Sequence, residues 1–394
     1  MRILVAEPKW TGHHLPIARV LASTLRGAGH EVVLAVTISD DEVARRMTEV
    51  ATADVESEGI ELRRSLRGPP IGWSRIGDSD GRIEVNAISE EIERTSPDRV
   101  VVPSGDATVF HLGGGGIAHE LLESEEARFL LHQPYVGYRG RGLRFAVKRE
   151  LIRRRLRRSR GGLAGLDHRI GLSLGKRNPV TLLPAPPVAV AELPRRAART
   201  RFGIDDDRQV FLAIGEHSTR KGTERLVEAW PADGSGTLLV VGRCSSEVRE
   251  SIASRPTEVA SGAIRVVDEV VDGETYAAAF HACDVVTACY PRHFGASGIL
   301  TTALLLDRPI LGSDYGYIGD CIESFGLGTT VDCMDPEALG ASIRRSLEEP
   351  PVIDPTRSRA FREFHAPANF DRHVQMWVLG RTADDIPPSA APEP

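Results

Sequence analysis

Cysteine is scarce in this chain, and lysine scarcer. The 394 residues hold five cysteines, all in the second half, and 4 lysines beside 45 arginines. An odd cysteine count without a CxxC pair excludes a disulfide framework and a zinc knuckle. The five are expected to be reduced, buried and small. The arginine bias reads either as genome composition or as a high-salt host. No apolar run approaches the roughly 18 residues that a membrane span needs. The opening MRILVAEPKW lacks the apolar core of a secretory signal and reads as a first strand. A cytoplasmic protein is expected, with 41% hydrophobic and 26% charged residues. The Walker pattern is missing, which excludes an ordinary ATPase loop. One local absence stands out: the stretch FGASGILTTALLLDRPILGSDYG has no carboxylate from Phe294 to Leu306, the first being Asp307.

The residues that are present alternate. RILVAEP is apolar enough for a buried parallel strand. TGHHLPIARVLASTLRGAGHE follows with helical spacing of Leu15, Val20, Leu21 and Leu25, closed by Gly27 and Gly29, and EVVLAV is a second strand. This is a βαβ unit. Further strands are predicted at 98–104 and 127–133, with helices near 86–95 and 116–124. The Pro-rich stretch 179–194 breaks the periodicity and marks a linker. After it come the strand QVFLAIG, the helix GTERLVEAW and the strands GTLLVVG, AIRVVD and DVVTACY, separated by helices near 245–254 and 273–282. The opening stretch then supplies a helix and the strand RPILGSD. The spacing predicts an α/β protein of two doubly wound Rossmann-like domains facing across a cleft, with ligands at the carboxyl ends of the strands. The expected boundaries are 1–178, 179–356, a helical return to the first domain over 357–380, and a disordered tail over 381–394.

Several motifs carry chemistry. The turn after the first strand holds Gly12, His13 and His14 at a helix start, suited to an anion or to plain turn geometry. GEHSTRKG sets Arg220 and Lys221 just before a helix, where an ammonium meets a diphosphate as a point charge; the alternative is a solvated basic cap. In FGASG, the N–H groups of Ala296, Ser297 and Gly298 suit phosphate. His132 ends the strand ARFLLHQ and Asp106 follows PSG, both candidates for acid–base work. The glycine run 113–116 reads as a loop. Residues 139–160 carry a net charge of +10, leaving −16 for the remainder. Leu143, Val147, Leu151 and Leu156 share one helix face there, with Arg149, Arg153, Arg154 and Arg157 elsewhere. Such a segment lies on an anionic bilayer, clamps an acidic acceptor, or is an ordinary solvated helix. Nucleic acid is not indicated, since no stacking platform accompanies the charge.

In this order the motifs resemble the retaining GT-B glycosyltransferases usually called family four, or group one. GHHLPIARVLASTLRGAGHEV, FLAIGEHSTRKGTERLVEA, RVVDEVVDGETYAAAFHACDVVTACYP and ASGILTTALLLDRPILGSDYGYIGDCIESFGLGTTVD carry the resemblance across nearly the whole chain. It implies sugar transfer from a nucleotide-diphosphate sugar to a lipid-linked or polysaccharide hydroxyl, at the cytoplasmic membrane face, with no metal and no resident cofactor. His132 would stand beside the reacting carbon, and Gly12, Arg220, Lys221, Ala296, Ser297 and Gly298 would hold the donor. Two departures follow from aligning on Arg308–Pro309. The family's two glutamates fall on Phe294 and Thr302, leaving Thr302 to offer a hydroxyl to ribose, and its Arg falls on Glu216. The alternative function is a catalytically inactive binding partner of the same fold.

Overall fold

The structure is a computed structural model that describes residues 1–9, 14–38, 42–67, 80–105, 121, 123–132, 146–147, 150, 153–154, 156–167, 169, 180–188 and 190–380. The chain divides into two compact units, Met1–Pro186 with the segment from Ala366 onward, and Pro187–His365.

The first unit runs β1 (Arg2–Glu7), α1 (His14–Gly27), β2 (Glu31–Ile38), α2 (Glu42–Ala51), β3 (Glu61–Arg67), α3 (Asp80–Thr95), β4 (Arg99–Val102), β5 (Ala127–Leu131), β6 (Gly162–Gly165) and β7 (Val180–Leu182). Its strands pair in the order β3-β2-β1-β4-β5-β6-β7, every pair parallel. A parallel sheet is covered on both faces, so β1 and β5 are apolar almost throughout. Helix α1 buries Leu15, Ile17, Ala18, Leu21, Ala22 and Leu25, a stripe at helical spacing. The order reverses between β1 and β4, which makes their carboxyl ends the switch point of this sheet.

The second unit contains α4 (Arg195–Arg201), β8 (Val210–Ile214), α5 (Thr223–Ala229), β9 (Thr237–Val241), α6 (Ser246–Ala253), α7 (Pro256–Ala260), β10 (Ile264–Val267), α8 (Gly273–Ala282), β11 (Val285–Ala288), α9 (Gly298–Leu305), β12 (Ile310–Ser313), α10 (Gly316–Phe325), β13 (Gly328–Val331), α11 (Pro336–Glu348) and α12 (Ser358–Phe364). Its parallel sheet has the order β10-β9-β8-β11-β12-β13, with the reversal between β8 and β11. Successive side chains of a strand face opposite sides. Accordingly Leu212 and Ile214 join one core, with Val286 and Leu300, while Phe211 and Ala213 join the other, with Leu238 and Trp230. All five cysteines are buried in this unit.

Helix α13 (Pro367–Leu379) returns to the first unit. There Trp377 donates its Nε1–H to Gly162 O at 3.0 Å, and Arg128 Nε donates to Trp377 O at 2.9 Å.

The expected boundaries shift in two places. Val180–Leu182 is not linker but the edge strand β7, because its amides pair with β6. The return begins at Ala366 rather than at 357, since Phe361 of α12 is buried in the core of the second unit. Strands β3, β6 and β13 were not anticipated. β3, ELRRSLR, and β6, GLAG, carry too few branched apolar residues to read as strands locally, and pairing to a neighbour decides them. The glycine run 113–116 and the tail 381–394 lie outside the described residues. Among the described residues no helix is long and apolar enough to cross a membrane.

Candidate functional site

In the second unit the chain leaves β8 through Gly215 and enters α5 after Gly222. Lys221 folds back over that turn and donates from Nζ to Ile214 O at 2.9 Å, 5.5 Å from the centroid of the Tyr290 ring. The ammonium fits because residue 215 has no side chain: a Cβ there would stand 2.5 Å from Nζ. Gly222 is held at φ +65°, and a Cβ on it would lie 2.6 Å from Cys289 O. Only glycine combines that backbone with that approach, so the turn closes onto the loop following β11.

His217 pins the same turn from below. Its Nε2 lies 3.1 Å from Val241 O, which can only accept, so Nε2–H donates; Nδ1 then accepts from Thr223 Oγ1 at 2.9 Å. Burial, and then the charge of Lys221, bring its pKa down to about 4. The ring is therefore neutral and structural. Arg220 is exposed, with Nη1 at 3.5 Å from His293 Nδ1, the outer limit of a hydrogen bond.

After β11 the chain passes Phe294, whose carbonyl accepts from Tyr317 N at 3.1 Å, and reaches the N-cap Ser297 of α9. The first turn of α9 holds no acid, and the Ser297 side chain does not cap it. Among the described residues the amides of Ala296, Ser297 and Gly298 donate to no other group. A Cβ on Gly298 would meet nothing within 4 Å, so the helix start opens to free space. Such an end carries a partial positive charge and free donors. The Thr302 hydroxyl is placed differently from the expectation. It is 4% exposed, donates to Gly298 O at 3.3 Å and accepts from Tyr276 OH at 3.3 Å, so it anchors Tyr276 instead of facing a ligand.

A cleft of about 310 Å³ lies beyond this turn, at the ends of β11, β12 and β13. Asp314 and Asp332 line it, and burial with the neighbouring Asp332 charge raises the pKa of Asp314. Two carboxylates beside the single Arg292 make this cleft less suited to a diphosphate than the start of α9.

The switch point of the first unit holds a cluster that spacing did not reveal. Glu7 ends β1 fully buried, and its Oε1 accepts from Lys9 N at 2.8 Å. Ser104, just past β4, stands with Oγ at 2.5 and 2.6 Å from the two Glu7 oxygens and 2.8 Å from His14 Nδ1, at the start of α1. His132, after β5, places its ring centroid 5.5 Å from that of His14, edge to face. Its Nε2 lies 2.7 Å from Pro103 O and so donates, leaving the Nδ1 lone pair. Burial lowers the His132 pKa to about 4 and raises that of Glu7 to about 8. Sequence reasoning missed Glu7 and Ser104. The available signal was a carboxylate closing an apolar strand and preceding Pro8. Gly12, Asp106 and Arg149 lie outside the described residues. Arg153 and Arg154 reach Glu150 at 3.6 and 3.3 Å, Leu156 is buried in the core, and Val147 is 52% exposed. The expected apolar stripe is thus only partly covered.

The likeness to known proteins agrees with this geometry. Residues 208–349, all in the second unit, match the family model "Glycosyl transferases group 1". The fold is that of GT-B glycosyltransferases. Sucrose-phosphate synthase from Thermosynechococcus elongatus superposes with a TM-score of 0.64 at 16% identity, covering 96% of this chain and 94% of that one. The Anabaena protein HepE, in complex with UDP and glucose, gives 0.63 at 13%, over 96% and 98%. The lipopolysaccharide outer core galactosyltransferase WaaB, in its apo form, gives 0.61 at 13%, over 96% and 99%. No curated protein sequence matches the chain.

Proposed function

We propose that the protein is a glycosyltransferase that moves a sugar, with retention, from a nucleotide-diphosphate sugar to a lipid-linked or polysaccharide hydroxyl. The observation that carries this reading is one switch point with two anion-binding parts, the Lys221 ammonium after β8 and the open amides of Ala296, Ser297 and Gly298 after β11. A departing nucleoside diphosphate develops negative charge, and an ammonium with a helix start stabilises it without a metal. Arg220, exposed one residue away, adds a second cation. The second unit is then the donor half and the first the acceptor half, with His132 as its candidate for acid–base work. The complex of HepE with UDP makes UDP the first nucleotide to test.

The basic segment supports a lipid-linked or acidic acceptor. Arg154 is 73% exposed, and Arg157 is exposed as well. Each basic residue near an anionic surface adds about 1 kcal/mol. The protein then works peripherally on the cytoplasmic membrane face. Replacing Arg153, Arg154 and Arg157 with Ser is expected to reduce co-sedimentation with anionic vesicles; unchanged co-sedimentation removes the membrane from the reading.

One observation favours a second reading. With Phe294 and Thr302 where the family has glutamates, and with Thr302 occupied by Tyr276, no carboxylate of α9 reads the donor sugar. A non-catalytic nucleotide-binding partner keeps the phosphate-holding part alone. Calorimetric titration with UDP, GDP, ADP and TDP, beside the Lys221→Ala variant, decides the binding. Turnover of the matching nucleotide sugar, with the anomeric configuration of the product read by NMR, separates transferase from partner. No binding by folded protein would overturn the transferase reading and leave a complex-forming partner of the same fold.

A further inference from the structure

We propose that the cleft of about 310 Å³ at the ends of β11, β12 and β13 is a saccharide-binding subsite, separate from the Lys221 turn. It belongs to the second unit alone and stands whether or not that turn holds a nucleotide.

Opposite charges line this cleft without meeting. Arg292 lines it from the loop after β11, Asp314 from the end of β12 and Asp332 from the end of β13. Among the described residues Arg292 forms no ion pair and no hydrogen bond, and the Asp314 carboxylate accepts from no other residue. A guanidinium only donates and a carboxylate only accepts. The ligand that satisfies both carries groups able to do either, as a sugar hydroxyl is. A diphosphate meets two carboxylates here, and a simple cation meets the guanidinium. Among the described residues no three acidic, histidine or cysteine side chains gather to hold a metal.

The rim adds an apolar face. Tyr315 and Met334 both line the cleft and are 36% and 37% exposed, although each is a large hydrophobic side chain. An aromatic ring and a thioether suit the C–H face of a pyranose, while the charged groups take its hydroxyls. A volume of about 310 Å³ is at the small end of ligand clefts, which run roughly 300–1,000 Å³, so it suits one sugar ring better than a chain segment.

The walls are held by backbone contacts. Asp314 N donates to Val331 O at 3.0 Å and ties the loops after β12 and β13 together, and Tyr315 N donates to Ser313 Oγ at 3.2 Å. Met334 N donates to Asp332 Oδ1 at 2.8 Å, which leaves Oδ2 without a partner among the described residues. Gly316 brings the loop after β12 against the loop after β11, since a Cβ on it would stand 2.4 Å from His293 O. Arg292 itself is held at φ +50°, a backbone conformation that favours glycine. Its side chain therefore stays on the cleft without any contact inside the protein to keep it there.

The test uses the whole chain and saturation-transfer difference NMR. The probes are the methyl α- and β-pyranosides of glucose, galactose and mannose, with leucine as a zwitterion that the same charges could hold. Transfer to the ring C–H protons of at least one glycoside is expected. Arg292→Gly and Asp314→Asn are each expected to weaken that binding about tenfold, the effect of one charged hydrogen bond, whereas Lys221→Ala retains it. Arg292→Gly relieves the left-handed backbone, so this variant is expected to fold. The proposal is overturned by transfer to no glycoside, by transfer to leucine alone, or by unchanged binding in both cleft variants. Loss of glycoside binding in Lys221→Ala overturns it too, because the sugar would then sit at the Lys221 turn.

Discussion

The two units are wound alike and equipped oppositely. Each places its candidate groups where its strand order reverses, between β1 and β4 in one and between β8 and β11 in the other. In the second unit the equipment is largely backbone: glycines that let Lys221 fold back, and helix amides that face open space. In the first it is a buried acid hydrogen-bonded to a hydroxyl that also meets His14, with the His132 ring edge to face beside it. One end gathers amides and an ammonium, the other titratable side chains. Topology therefore chooses the place, and the residues at the strand ends choose the chemistry.

This contrast can be broken at several points. The largest expected effect is at Gly222, where alanine must accept φ +65° and a Cβ 2.6 Å from Cys289 O. A loss of about 3 kcal/mol in urea unfolding is expected, from backbone strain plus a backbone clash. A loss below about 1 kcal/mol means that the turn is not closed by close approach.

Lys221→Ala comes next. It is expected to weaken nucleoside diphosphate binding by roughly 1.5–3 kcal/mol, the range of a charged hydrogen bond, while the thermal midpoint changes little. Unchanged affinity in the titration removes Lys221 from the site and leaves Arg220 as its candidate cation.

The third prediction lies in the pH dependence of stability. Glu7 titrates near 8 in the folded chain against about 4.5 ordinarily, so folded protein binds the extra proton and stability falls as pH rises through that window. The buried His132, His217 and His365, each near 4, contribute the opposite slope, losing stability as pH falls from about 6.5. The histidine contributions fade above pH 6.5 and are flat only above about pH 7.5. Between pH 6.5 and pH 8 the wild type is expected to lose about 1.5 kcal/mol relative to Glu7→Gln, within the 1.36 kcal/mol per unit that one proton allows. An equal pH dependence in the variant's unfolding curves would place the effect elsewhere.

The smallest effect belongs to Arg220. Exposed and only 3.5 Å from His293 Nδ1, it is expected to change nucleotide affinity by less than about 1 kcal/mol on replacement with alanine. A loss as large as that of Lys221 would make the two cations equal partners.

The fold was legible wherever an element announces itself locally. The alternation of RILVAE, the stripe of α1 and the runs before and after Lys221 need only near neighbours to read, and Ser246–Ala253 and Gly273–Ala282 fall where their spacing predicts. The start of α9 was legible for the same reason, since a glycine turn running into a helix start is a local motif. Thr302 was misread because its spacing matches a ligand-facing position, whereas its hydroxyl is spent on Gly298 O and on Tyr276, 26 residues earlier.

What the residue order determined by itself is therefore the alternating architecture, the two glycine turns that run into helix starts, and the absence of acids beside the second one. Those depend on residues within a turn or two of each other. The tertiary structure alone decided the meeting of Glu7 with Ser104, 97 residues apart, and of Ser104 with His14, 90 apart. It also decided the edge pairing of β7 and the return of α13. The reason is physical: a carboxylate at the end of a strand is an exposed charge or a buried acid depending on what the sheet brings beside it, and sheet order joins β1 to β4 only after the intervening chain has folded.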